Sequence, residues 1–254
     1  MKLPKSVALV TGGATGIGRA VCLDLARAGA AGIVINYSKS REDAERTAKE
    51  VEAFGAEPLP VMANVASEKA VISLVDQTIK RFGRLDVLVN CAGATRFIPF
   101  VDLAAVTDEV WRDILSVNLM GPWYASRAAA PYLKQTRGCI VNIASLAALR
   151  ASGSSIPYGV SKAALAQLTR ALAVALAPEV RVNSVNPGLV KTRWFRQAVG
   201  NEYADAHEKA TAERTPLKSV TTPDEVSQVV MSLITADMVT GQSVSVDGGL
   251  ALVY

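Results

Sequence analysis

The chain has 254 residues, half of them apolar, with a formal net charge of +4. That length suits one α/β sheet protein with a large core, and no run reaches the roughly 18 apolar residues of a membrane span. The positive charge sits in mixed runs such as Arg41, Glu42, Asp43, Glu45 and Arg46, a solvated helix face rather than the basic stripe of a nucleic-acid binder.

In chain order, the apolar stretch after Lys2 and Lys5 is too short for a signal peptide and runs into glycines. Within it, Val7 to Val10 suits a strand buried on both faces. Thr11-Gly12-Gly13-Ala14-Thr15-Gly16-Ile17-Gly18 follows, then a helical stretch from Arg19 to Ala28. Strand, glycine-rich turn and helix are the context of a dinucleotide-binding turn. Glycines let the backbone approach a pyrophosphate, and the helix N-terminus offers free N–H groups and a positive dipole end. The spacing here is Gly-x-x-x-Gly-x-Gly, not the standard Gly-x-Gly-x-x-Gly.

Apolar runs near 32–36, 58–63, 85–89, 139–144, 180–186 and 243–246 predict further strands, with helical patterns between them, the longest near 107–134 and 156–177. Regular alternation predicts an α/β fold: a doubly wound (Rossmann) parallel sheet of about seven strands with helices on both faces, in a single domain spanning 1–254. Pro58 and Pro60 push the third strand to an edge, where the order 3-2-1-4-5-6 has it. Cys22, Cys91 and Cys139 fit no metal spacing and read as reduced thiols of a cytoplasmic protein. The only histidine, His207, argues against a metal centre or a Ser-His triad and suits a solvated helix face.

Ligands in such a sheet bind beyond the carboxyl ends of the strands. Thr11 to Gly18, Asn90 to Gly93, Ser145 and Pro187-Gly188 all fall there. Tyr158 and Lys162 are one helical turn apart and share a face. An ammonium beside a phenol favours the phenolate, so the spacing predicts a tyrosine of lowered pKa acting as general acid or base, with Ser145 holding a carbonyl oxygen against it.

Together these residues resemble the short-chain dehydrogenase/reductase family over nearly the whole chain. Thr11, Gly12, Gly16 and Gly18 match its Thr-Gly-x-x-x-Gly-x-Gly turn. Asn90-Cys91-Ala92-Gly93 matches its Asn-Asn-Ala-Gly segment, with Cys91 in place of the second Asn. Asn118 matches its helix asparagine; Ser145, Tyr158 and Lys162 match Ser…Tyr-x-x-x-Lys; and Asn186-Pro187-Gly188 with Thr192 matches its Pro-Gly segment. The resemblance implies hydride transfer between a nicotinamide cofactor and a small-molecule carbonyl or secondary alcohol, catalysed by Asn118, Ser145, Tyr158 and Lys162. Lys162 would also hold the nicotinamide ribose, and Asn118 would anchor a proton-relay water. It implies cofactor contacts at Thr11, Gly12, Thr15, Gly16, Ile17, Gly18, Asn64, Val65, Asn90, Ala92, Gly93, Pro187, Gly188, Val190 and Thr192.

Cofactor choice is written after the second strand. The family's acidic position is Tyr37, and Ser38, Lys39, Ser40 and Arg41 precede the first acid, Glu42. This predicts NADP(H) over NAD(H), through charge-assisted bonds to a 2′-phosphate; neutral Thr15, and Asn64 in place of the usual Asp, are departures. Substrate contacts are expected at Thr95, Phe97, Ser145, Leu146, Ala148, Ser152, Tyr158, Leu189, Trp194 and Phe195, under a lid at about 189–216 implied by the resemblance. The chain is most similar to 3-oxoacyl-(acyl-carrier-protein) reductases, yet Ala130 and Pro178 stand where those present basic residues to an acidic carrier, which favours a free ketone. The resemblance also implies a homotetramer built through the long helices. The other reading is a non-catalytic NADP(H)-sensing regulator, which would commonly lack the tyrosine or lysine present here.

Overall fold

The computed structural model describes residues 1–253. Seven strands, β1 (Val7–Thr11), β2 (Gly32–Tyr37), β3 (Glu57–Met62), β4 (Val87–Asn90), β5 (Cys139–Ile143), β6 (Arg181–Pro187) and β7 (Ser243–Val246), form one sheet in the order β3-β2-β1-β4-β5-β6-β7. Every pair is parallel. The proline-bearing β3 lies at one edge and β7 extends the other.

The described residues form nine α-helices: α1 (Gly16–Arg27), α2 (Arg41–Ala53), α3 (Glu68–Phe82), α4 (Asp108–Leu115), α5 (Gly121–Thr136), α6 (Ile156–Ala175), α7 (Arg193–Val199), α8 (Asn201–Arg214) and α9 (Pro223–Thr235). The period-2 alternation of each strand divides the core in two. Ala8, Val10, Ile33, Ile35, Val87 and Val89 face α1, α2 and α9. Leu9, Val34, Leu88 and Ile140 face α3, α5 and α6. Both faces are buried, so the strands read as unbroken apolar runs. No helix among the described residues is long and apolar enough to cross a membrane.

Two details depart from the sequence expectation. The helix expected over 107–134 is interrupted by a π-turn at Ser116–Met120, which carries Asn118; such turns recur where a helix must re-aim a side chain. The stretch after β6 folds into α7 and α8, and is held to the body where Val190 bridges Thr221 and Lys191 N–H donates to Thr221 O (2.9 Å).

Candidate active site

One row of polar residues crosses the sheet from β1 to β7. Thr11, Asn90, Asn142, Ser184 and Ser243 pair across successive strands. Thr11 Oγ1 accepts Cys91 N–H (3.0 Å) and Ala92 N–H (3.2 Å), tying the glycine-rich turn to the segment after β4. Asn90 donates to Asn142 Oδ1 (2.8 Å), and Asn142 donates to Thr169 Oγ1 (2.9 Å). Thr11 and Asn90 thus turn their side chains to the scaffold, although Asn90 Oδ1 is buried without a partner. Asn36, which the sequence reading did not single out, accepts Gly12 N–H (3.3 Å) and donates to Ala63 O (2.9 Å), fixing the turn from β2.

The turn itself is a cradle that side chains would fill. Gly12 and Gly16 adopt positive φ, and a Cβ on Gly18 would lie 2.2 Å from Gly12 O. Thr15 is the N-cap of α1 but makes no side-chain cap bond, and the first turn holds no acid. Thr192 covers this turn, with Cγ2 3.7 Å from a Cβ placed on Gly16. An uncapped helix start with a positive dipole end and close backbone access fits a pyrophosphate. Beside it, Ile17 is half-buried, and Gly188 N–H donates to Val246 O (3.0 Å) next to buried Pro187. Ser38, Lys39 and Ser40 are exposed after half-buried Tyr37. Arg41 pairs with Glu45 (2.8 Å), one turn along α2. Asn64 is exposed and accepts Ala66 N–H, whereas Val65 is buried against Gly121.

Next to the cradle stand Ser145, Tyr158 and Lys162. Ser155 caps α6 by accepting Tyr158 N–H (3.4 Å), and the cap with Pro157 starts the helix so that Tyr158 lies in its first turn. Tyr158 faces Ser145, whose hydroxyl acts on the phenol. Ser145 Oγ also accepts Ala147 N–H (3.1 Å), and Leu146 is buried beneath the loop. Lys162, 4% exposed, donates to Ile143 O (2.8 Å). Asn118 exchanges hydrogen bonds with Ala94 (2.8 and 3.0 Å) and donates to Ser161 Oγ (2.9 Å). Both its amide protons are therefore committed, and its side chain positions the 93–95 loop, where Gly93 passes within reach of Lys162.

The expected lowering of the Tyr158 pKa is not what the site does. Burial pushes the phenol up, opposed by the Ser145 hydroxyl. Lys162 aims at Ile143 O, with Nζ 5.7 Å from the Tyr158 ring centre, and burial pushes its own pKa down to about 8. Tyr158 is therefore protonated at neutral pH, a donor. Burial likewise raises the Cys91 thiol to about 11, and Lys162 is the charge nearest it.

On the substrate side, Thr95 Oγ1 pairs with Ser154 Oγ, beside half-buried Ser152. Phe97 meets Trp194 and Phe195 of α7, and His207 lies exposed on α8, stacked on Tyr203. Leu189 accepts Thr221 N–H (3.1 Å) where the chain leaves β6 for α7.

A sequence profile of the family described as enoyl-(acyl carrier protein) reductase matches residues 12–251. A protein assigned as ketoacyl reductase 2 of the granaticin polyketide synthase of Streptomyces violaceoruber is 44% identical, over 97% of this chain and 96% of that one. The 3-oxoacyl-[acyl-carrier-protein] reductase of Thermotoga maritima is 33% identical, over 99% of this chain and all of its own. Among solved structures, a doubly substituted variant of a Serratia marcescens short-chain dehydrogenase/reductase superposes with a TM-score of 0.88 at 32% identity, covering 99% of this chain and 100% of that one.

Proposed function

The chain belongs to the short-chain dehydrogenase/reductase family and is an oxidoreductase acting on carbonyl groups with a nicotinamide cofactor; within that family we propose that it is an NADP(H)-dependent ketone reductase of a single domain, with residues 189–216 as its substrate lid. The observation that carries this reading is Tyr158 facing Ser145, one helical turn from buried Lys162 and beside a glycine cradle open to a pyrophosphate.

In reduction, Tyr158 donates its phenolic proton to the carbonyl oxygen as charge develops there. Ser145 hydrogen-bonds the same oxygen and stabilises that charge. Lys162, buried one turn along α6, sets a positive field in a dry site and stands where the nicotinamide ribose would lie. A bound NADPH supplies the hydride to the carbonyl carbon. Thr15, Gly16, Ile17 and Gly18 present backbone to its pyrophosphate. Ser38, Lys39 and Ser40 favour a 2′-phosphate, since no carboxylate stands between Tyr37 and Glu42 to repel it. Gly93, Gly188, Val190 and Thr192 line the remaining cofactor wall.

The substrate reading is a free ketone in preference to a carrier-bound one, because Ala130 and Pro178 stand at the positions where the carrier-protein reductases this chain resembles present basic residues. The free thiols suit a cytoplasmic setting. The test is Tyr158→Phe. Turnover should fall by about 10²–10⁴, the worth of a general acid, while NADPH affinity measured by fluorescence stays near wild type. Activity close to wild type in that variant would refute the assignment.

A further inference from the structure

We propose that the cleft takes a flat, uncharged, fused-ring aromatic ketone, held at its mouth by Phe97 and Trp194. This rests on the ketone-reductase reading above and names its substrate class.

Phe97 comes from the loop after β4, and Trp194 and Phe195 from α7 on the opposite side. Their ring centres are 6.4 and 6.1 Å from that of Phe97, tilted by 49° and 48°. Phe195 is buried and anchors α7, but Trp194 and Phe97 keep 49% and 43% of their surface open. The two open rings touch each other, so a ligand lies against their faces rather than between them.

The Phe97 wall is tied to the catalytic loop. Ile98 N–H donates to Ser154 O (2.9 Å). Adjacent Gly153 passes so close to Tyr158 that a Cβ there would lie 3.2 Å from the ring. Leu149, half-exposed, rises from the same loop after Ser145. Aromatic faces therefore stand one loop away from the proton donor, and exposed apolar surface beside a polar centre marks a binding groove.

Each arginine flanking these rings is already paired with a carboxylate. Arg96, next to Phe97, pairs with Asp113 (3.1 Å). Arg193, before Trp194, pairs with Asp43 (3.3 Å). Arg196, after Phe195, pairs with Asp205 (2.7 Å) and Glu208 (3.0 Å). A carboxylate or phosphate on the substrate would have to break one of these pairs to gain an arginine. Quadrupolar ring faces select planar rings over flexible chains, because offset and edge-to-face contacts add to area burial.

The test uses the full-length enzyme with 1-tetralone and 2-decanone, ketones of equal carbon count. With NADP⁺ present to prevent reduction, 1-tetralone should quench tryptophan fluorescence saturably, and Trp194→Phe, which keeps Trp111 and Trp123, should lose that quench. With NADPH, the ratio of kcat/KM for 1-tetralone over 2-decanone should exceed one. Trp194→Leu and Phe97→Leu should each lower it about threefold to tenfold, the size of one aromatic contact. No saturable quench, or a ratio unchanged in both leucine variants, overturns the proposal. A quench without oxidation of NADPH by either ketone keeps the aromatic site and refutes the reductase reading instead.

Discussion

Tyr158 and Lys162 share one helical face, and the sequence spacing alone brings them together. What spacing does not carry is desolvation. A phenol beside an ammonium in water would be acidified, but here burial acts on both groups, raising one pKa and lowering the other to about 8. The lysine result has a measurable consequence. The folded pKa lies below the usual 10.5 of the unfolded chain, so below about pH 8 both states are protonated and between the two values only the unfolded state is. Stability contributed by this group therefore rises with pH across that window, by about 1.4 kcal/mol per unit. Urea unfolding of wild type and Lys162→Met at intervals from pH 7 to pH 10 should show wild type gaining on the variant above about pH 8. A difference that stays flat or falls would show that Lys162 is better solvated than its burial implies.

At the scale of elements, the glycine-rich turn was legible because its chemistry is local: small residues at fixed spacing between a strand and a helix. The structure adds why Gly18 admits no side chain. Its Cβ would meet Gly12 O at 2.2 Å, a backbone atom that cannot step aside. Gly18→Ala should raise the NADPH dissociation constant at least tenfold and lower stability by about 1–3 kcal/mol, the usual cost of overpacking; isothermal titration and urea unfolding read the two. The segment proposed as the lid reads in the sequence only as a break in the sheet pattern, because its ties are long-range. Arg193, directly after Thr192 over the cradle, forms a two-armed ion pair with Asp43 of α2. In the proposed reading, this pair straps that segment across the pyrophosphate site. Partly exposed pairs are worth roughly 0.2–1 kcal/mol. Arg193→Ala and Asp43→Asn should therefore each speed NADPH release by up to about fivefold, and the double variant no more than either alone. Additive effects on the release rate would mean that the two residues act separately.

For the whole molecule, the parallel sheet and its order followed from the alternation of strand and helix, with Pro58 and Pro60 fixing one edge and the run before Asp247 the other. The two-sided core explains this legibility, since the central strands must be largely apolar on both faces. The polar row across the sheet was less legible. Thr11 and Asn90 stood out in their motifs, but Asn142, Ser184 and Ser243 join them as one feature only once the register is known. The π-turn at Asn118 had no sequence signal beyond the asparagine itself. Surface residues point outward to assembly: Val160 and Val174 of α6 are 46% and 82% exposed. If α6 pairs with its copy in a homotetramer, light scattering should give four times the 26.7 kDa chain mass; the mass of one chain would contradict that arrangement.

The most direct test of the central claim is cofactor consumption by the purified enzyme with ketones and 3-oxoacyl thioesters, NADPH and NADH side by side. The account predicts oxidation of NADPH by free ketones, with kcat/KM at least about tenfold above that with NADH, the discrimination that one lost charge-assisted contact provides. Higher efficiency with NADH would contradict the reading of Ser38 to Ser40. No oxidation of either cofactor by any carbonyl, with NADPH still bound, would contradict the catalytic role given to Tyr158.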